Sequence, residues 1–463
     1  MQLVNVRRAL RGSEPLGEIP PQSELIRNSA SMAWPSIVES FLIAFVGMVD
    51  TMMVGSLGSH AITAVGLCTQ PKFIMLAFFM ALGVAVSATV ARRRGEADQE
   101  GANRVLMQAL AISAAVTALI SFSAFFFADP IIRFTGSAPD THAEAVGYFR
   151  ILSVGLCFTS LTLIINAAQR GAGNTRIAMQ TNMVSNLVNV FFNYLLIGGN
   201  FGFPRLGVRG AALATVIGTV CGFLMSLRSV SNPHGFLYLF DLHHMRFDLR
   251  TLRGLVSVGA STLAEQVFMR FGFLTYARIV AGLGTTAFAA HQIGINLLSL
   301  SFSFGDGLSA ASIALVGRSL GERRPDLAKI YGSACQHIGF AFSVMLSVVF
   351  LLGNVRIFEL FNDEPEVLQY SWMIIVVLCI TVFAQISNVI FTGCLRAGGD
   401  TLYAAIVALV SIAVIRPLAG WFFCYPVGWG LTGAWVGLLF DQASRIALSY
   451  PRFRGGRWTK ISL

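Results

Sequence analysis

Glu39, Asp50, Glu265 and Asp306 are carboxylates set in long apolar stretches, and Asn182, Asn186, Asn189 and Asn193 form a run of amides in another. Such groups can take up and release a proton or coordinate a cation. Within a bilayer they are costly, and those kept there face a bundle interior or a water-filled path. Glu39 and Asp50 are eleven residues apart, which on a helix is three turns plus about 20° and a rise of roughly 16 Å, so both project from one face. The asparagines recur at spacings of 4, 3 and 4, a single stripe that lipid cannot satisfy. Motifs for covalent chemistry are weak beside this. Gly317-Arg-Ser319-Leu-Gly321 fits a nucleophile elbow in letters, but no strand-to-helix turn is expected there. Gly428-Trp-Gly430-Leu-Thr-Gly433 fits a dinucleotide fingerprint, yet it opens an apolar span and follows no strand. No Gly-Lys-Ser/Thr phosphate loop occurs, and no nucleophile faces a base, so an enzyme is not expected. All seven cysteines lie in apolar stretches without a C-x-x-C pair; they read as small core residues rather than metal or redox ligands.

The elements that must hold these groups are membrane spans. The 463 residues are 55% hydrophobic and 12% charged, with a mean hydropathy of +0.68. A soluble domain carries about 25% charged residues, so this composition excludes a cytosolic enzyme, a disordered chain and a secreted disulfide scaffold. One span needs about 20 apolar residues, and about twelve such stretches account for most of the length. The net charge of +10 would suggest nucleic acid in a soluble protein. Here 24 of the 33 Lys and Arg fall in the N-terminal arm, the connections 91–104, 169–176, 228–253 and 317–329, Arg396 and the tail from Arg445. That bias predicts both termini in the cytoplasm. Arg7, Arg8 and Arg11 precede Pro and Glu rather than an apolar core, so no cleaved signal peptide is expected.

Sliding the chain against itself gives a recurrent offset of 226 residues, the mark of an internal repeat. Glu39 falls on Glu265, Arg92 on Arg318, and Arg170, Gly173 and Thr175 on Arg396, Gly399 and Thr401; near the end Gly207-x-x-Gly210-Ala211 meets Gly430-x-x-Gly433-Ala434 at 223. An all-α polytopic fold of twelve transmembrane helices follows, in two six-helix lobes related by an axis along the membrane normal. The expected division is an arm 1–30, an N-terminal lobe 31–230, a cytoplasmic linker 231–253, a C-terminal lobe 254–450 and a tail 451–463. Pro71 is expected to kink the second span. The repeat also serves as a control on the polar residues. Asp50 becomes Tyr276, Asn166 becomes Thr392, and the four asparagines become Ala408, Ile412, Ile415 and Ala419. The polar site is therefore a property of the first half, where a coupling ion is expected. Glu39 and Glu265 are kept in both halves and are expected to face each other near mid-membrane, where a cationic substrate binds; the alternative for Glu265 is a pairing with Arg270 or Arg416. Asp306 is either a further acid for substrate or the partner of Arg416. Asp441 and Arg445 are expected at the interface.

With those residues in view, the chain from about 25 to 450 resembles the multidrug and toxic compound extrusion (MATE) transporters. The resemblance rests on Pro35-x-x-x-Glu39, Val49-Asp50-Thr51-x-x-Val54-Gly55, Arg170-Gly-Ala-Gly173-Asn-Thr175, Pro204-Arg-Leu-Gly207-Val-Arg-Gly210-Ala-Ala212-x-Ala-Thr215, Ala289-Ala-His291-Gln292 and Arg396-Ala-Gly-Gly-Asp400-Thr401. Asp306-Gly307-x-x-Ala310 is most similar to the damage-inducible (DinF-type) branch. The resemblance implies two lobes forming a V-shaped chamber that exports organic cations in exchange for H⁺ or Na⁺ by alternating access. It implies that Asp50 carries the coupling ion with Asn166, Asn189, Asn193 and Thr215, and that Glu39, Glu265, Asp306 and Gln292 meet the substrate. Where Asn193 stands the family often has Asp, which favours H⁺ over Na⁺. No cofactor, metal or nucleic acid is implied; the expected partners are a small organic cation and membrane lipid, the chain acting as a monomer in a bacterial inner membrane. Export of an anionic metabolite, and flipping of a lipid-linked substrate, are the competing functions on the same fold.

Overall fold

The computed structural model describes residues 15–57, 59–135, 137, 139–233, 235–239, 248–359 and 365–461. Twelve long helices carry them: α1 Gln22–Gly55, α2 Ser59–Gly95, α3 Gln99–Phe126, α4 Pro139–Gly171, α5 Thr175–Gly198 and α6 Gly207–Val230, then α7 Leu249–Ala281, α8 Thr285–Gly321, α9 Pro325–Glu359, α10 Ser371–Ala397, α11 Thr401–Cys424 and α12 Gly430–Gly455. Helix is the only open-ended element that satisfies its own backbone in hydrocarbon. Among the described residues nine are long and apolar enough to cross a membrane by length and composition. The other three are α5, with its four asparagines, and α7 and α12, with their internal charges. The chain is thus an all-helical, multi-pass membrane protein.

Local chemistry sets the ends. Asp98 caps α3 through Gly101 N at 2.8 Å, and Arg92, Arg93 and Arg94 crowd the last turn of α2, where cations complement the helix dipole. Gly173 (φ 86°) and Gly399 (φ 87°) hold the turns after α4 and α10 in the left-handed region, which only glycine enters without strain. This is why the repeat keeps them. Helical backbone runs on through Pro71. In α11 the chain widens into a π-helical segment, Leu409–Ile415, ahead of Pro417. Proline lacks the N–H for an i→i−4 bond, and a wider turn is one way a helix accommodates that.

By their contacts the residues form two compact units, Val38–Gly259 and Met1–Ile37 with Ala260–Leu463, so the divisions fall inside α1 and α7. Within the first, α4 packs along α2, α3 and α6, and α5 along α6; within the second, α10 packs along α8, α9 and α12, and α11 along α12. Each pairing recurs six helices later, which is the repeat expressed as packing. Gly210 and Gly433 show what the repeat preserves. A Cβ on Gly210 would stand 2.5 Å from the Leu196 carbonyl, and one on Gly433 would strike the Phe423 backbone.

The segments flanking the helices are docked as well. Tyr238 N donates to Asn103 Oδ1 at 2.9 Å and Leu237 is buried, so the start of the linker lies on α3 rather than in solvent. Its histidines His234, His243 and His244 fall outside the described residues. Leu16 N donates to Asp326 Oδ2 at 3.1 Å, holding residues next to α1 against α9. After α12, Trp458 is buried and stacks on Phe453.

Candidate functional site

Asp50 and the asparagine stripe meet within the first unit. Asn193 Nδ2 donates to Asp50 Oδ1 at 2.6 Å and to Asn189 Oδ1 at 3.3 Å; Asn189 Nδ2 donates to Thr215 Oγ1 at 3.1 Å, and Thr215 donates to the Ala211 carbonyl at 3.0 Å. The carboxylate of α1 is thereby linked through two amides of α5 to a hydroxyl of α6. Small residues make this reach possible. A Cβ on Gly218 of α6 would stand 2.5 Å from Ser185 O and 3.1 Å from Asn189 Cβ, and Gly222, four residues on, lies against Ser185, a close-approach pattern typical of membrane helices.

At the other end of the stripe, Asn182 Nδ2 donates to Glu39 Oε1 at 2.6 Å. Glu39 and Asp50 are eleven apart and so are Asn182 and Asn193, and both bonds join residues 143 apart in the chain. Helices α1 and α5 therefore run parallel and in register, joined at two levels. Asn186 lies between them, its Nδ2 buried without a partner, as are Asn193 Oδ1 and Asn166 Oδ1. Asn166 is buried on α4 and lies outside this chain of hydrogen bonds.

Glu39 is also bound by Arg170 Nη1 at 3.1 Å. Its copy Glu265 is bound by Arg396 Nη2 at 2.6 Å. Both pairs span 131 residues and are the same contact in the two repeats. Each guanidinium reaches from the last turn of α4 or α10, so both acids are paired with an arginine at the end of those helices. Arg396, and neither of the alternative partners Arg270 and Arg416, holds Glu265. The offset had aligned all four residues; what it lacked was the crossing of α1 on α4.

In the second unit the counterpart of the polar site is different chemistry. Tyr276, the copy of Asp50, is buried and donates to the Ala434 carbonyl at 2.7 Å. Arg416 donates to Asp441 Oδ2 through Nε at 2.8 Å and Nη2 at 2.6 Å, and Arg445 bonds both oxygens of Asp441 at 2.9 and 2.7 Å. Arg416 also lies over the Phe273 and Tyr276 rings. Asp441 is 0% exposed and Arg445 6%, and Arg416, bound to Asp441, is not the partner of Asp306. Asp306 and Gln292 are both exposed on α8; polar side chains so deep in a spanning helix need water rather than lipid. Arg396 is the charge that acts on Asp306.

Nothing in spacing or repeat marked Lys72, yet it belongs here. It lines a cavity of about 80 Å³ in the first unit together with Leu152, Gly155 and Thr159 of α4 and Thr215 and Thr219 of α6. Thr215 is shared between that cavity and the amide chain. Lys72 and Asp50 attract each other electrostatically, with no ion pair inside 4 Å between them. The available signal was a basic residue inside an otherwise apolar span.

Comparison with known proteins agrees with this architecture. The chain is 27% identical over 458 residues to the probable multidrug resistance protein NorM of Thermotoga maritima, covering 96% of this chain and 95% of that one. It is 26% identical to the multidrug resistance protein PmpM of Pseudomonas aeruginosa, with 92% of each covered. Among solved structures, a MATE protein crystallised in the straight conformation superposes with a TM-score of 0.87 at 19% identity, over 98% of each chain, a likeness of fold. The MatE family profile matches twice, over residues 35–195 and 262–422, one match per repeat. The chain belongs to the MatE family of membrane transporters.

Proposed function

We propose that this chain is a secondary active antiporter that exports organic cations in exchange for H⁺ by alternating access, with Asp50 as the exchanging group. The observation that carries this reading is the Asp50 carboxylate on α1, held by Asn193 in a hydrogen-bonded chain and tied to no arginine among the described residues. Protonation removes its charge and weakens its hold on Asn193, so the α1–α5 contact differs between the two states; a switch needs such a difference in interaction energy. Asn189, Asn193 and Thr215 relay that change, and Asn166 of α4 keeps a buried acceptor without a partner. Asn193 in place of a second carboxylate favours H⁺ over Na⁺. The multidrug names of the relatives support drug-like substrates, and the motif around Asp306 supports a DinF-like member. The basic connections support cytoplasmic termini in a bacterial inner membrane, with lobes 31–230 and 254–450 joined by the linker and a single chain as the working unit. An anion exporter finds less support, because Arg416 is already bound to Asp441.

Exchange of one H⁺ for one monovalent cation moves no net charge. In proteoliposomes a pH gradient is therefore expected to drive a monovalent cationic dye, with a clamped membrane potential having no effect; a second coupling ion would add about 2.3 kcal/mol per 100 mV. Efflux driven by a Na⁺ gradient at symmetric pH, or transport of an anionic conjugate in place of the dye, would replace this reading.

Glu39, Glu265, Asp306 and Gln292 are the residues we assign to substrate. A cation reaches Glu265 by competing with Arg396, so the two partners have opposite expected effects. Glu265→Gln is expected to weaken dye binding about tenfold, roughly 1.4 kcal/mol, and Arg396→Met to strengthen it by a similar factor. Fluorescence polarisation with a cationic and a neutral ligand checks this; equal losses for both ligands in both variants assign the pair to structure alone.

A further inference from the structure

We propose that Lys72 is the resident counter-ion of deprotonated Asp50, filling the place that a metal cation would otherwise have to take, and so makes the coupling site independent of Na⁺. The inference rests on the reading of Asp50 as the exchanging group and names what sets its ion selectivity.

An ionised carboxylate inside a lobe requires a compensating charge. The surrounding hydrogen bonds supply dipoles only: Asn193 gives one N–H to Asp50 Oδ1, and the chain beyond it ends on a threonine whose own proton goes to a carbonyl. The other titratable groups nearby are neutral donors. Tyr148 of α4 is buried and feels Asp50, and Cys68 of α2 donates to the carbonyls of Ala64 and Ala145. Among the described residues, Lys72 is the cation that acts on Asp50.

Its setting suits a tethered ammonium. Among the described residues, Lys72 is the single charged one lining the cavity it shares with Thr159, Thr215 and Thr219. Each of those hydroxyls donates its proton to a backbone carbonyl in its own helix, Thr159 to Gly155 at 3.2 Å, Thr215 to Ala211 at 3.0 Å and Thr219 to Val216 at 2.8 Å. Their oxygens remain as acceptors, the polarity an ammonium needs and an anion does not. Lysine and carboxylate act on each other without an ion pair inside 4 Å, so a proton can still compete for Asp50. The repeat supports a paired role, because both charges belong to the first half only: the copy of Asp50 is Tyr276 and the copy of Lys72 is Leu298.

Two opposite unit charges within one lobe at an effective dielectric of about 20 stabilise each other by roughly 10- to 100-fold in equilibrium constant. Without Lys72, deprotonated Asp50 must recruit a cation from solution. The test is efflux of a cationic dye from proteoliposomes containing the full chain, under a fixed pH gradient, with choline or Na⁺ as the bulk cation. Wild type and Lys72→Arg are expected to be indifferent to Na⁺. Lys72→Met is expected to lose at least about tenfold in choline and to recover in Na⁺. Lys72→Met activity equal to wild type in choline overturns the proposal, as does a loss that Na⁺ does not restore. Should Lys72→Met fail to fold, Lys72→Gln carries the same charge change. Asp50→Asn runs alongside: retained proton coupling there removes the parent reading, whereas uncoupled Asp50→Asn with Na⁺-indifferent Lys72→Met removes only the role of Lys72.

Discussion

Asp50→Asn is expected to yield a folded protein in which a pH gradient no longer drives efflux. The substitution removes the titratable oxygen and little else. The amide oxygen of asparagine can still accept from Asn193, whose bond to Asp50 is 2.6 Å long, so stability should change by only about 1 kcal/mol, the net worth of one hydrogen bond. Coupling has no such substitute, because an amide carries no exchangeable charge at any pH in the working range. The check is a paired measurement on one preparation: thermal unfolding in detergent and proton-driven dye efflux after reconstitution. Wild-type efflux in that variant would take the coupling role away from Asp50. Loss of both folding and efflux would instead make the α1–α5 contact structural. Asp50→Glu, which restores a carboxylate one methylene further out, should recover part of the efflux if ionisation is what matters.

The second large effect is on stability and lies in the other unit. Asp441 is fully buried between Arg416 and Arg445, so Asp441→Asn leaves two guanidinium groups facing each other without their shared counter-charge. Removing one partner of a buried ionic cluster costs about 3–5 kcal/mol, which corresponds to a fall in melting temperature on the order of 10 °C. The exposed pair Arg318–Glu322 at 2.9 Å is the control, since breaking a surface pair costs about 0–1 kcal/mol. Combining Arg416→Met with Asp441→Asn should recover part of the loss, because one of the two uncompensated charges goes with it. A melting temperature for Asp441→Asn no lower than for Glu322→Gln would mean that water or lipid headgroups compensate the arginines.

These two sites occupy corresponding places in the two repeats, and their difference is the chemical asymmetry of the protein. The first repeat presents an acid and amides in a hydrogen-bonded chain that ends on Thr215, which lines a small cavity with a lysine. The second presents a phenol and an arginine–aspartate–arginine cluster beside a π-helical segment. One fold has thus been given a titratable polar lobe and an ionically locked one.

Composition alone required helices in lipid, and the 226-residue offset required two related halves; both rest on local or periodic properties that each segment carries by itself. The face shared by Glu39 and Asp50 and the stripe from Asn182 to Asn193 were legible for the same reason, since a helix converts spacing into direction without help from its neighbours. Which face met which was not legible. That α1 and α5 run in register, so that Glu39 takes Asn182 and Asp50 takes Asn193, is decided by the packing of the two helices and not by either sequence alone. Long side chains were read least well. Arg170, Arg396, Arg416 and Lys72 place their charges several ångströms from their own backbone, and only the packing of neighbouring helices decides which carboxylate lies at the end of that reach.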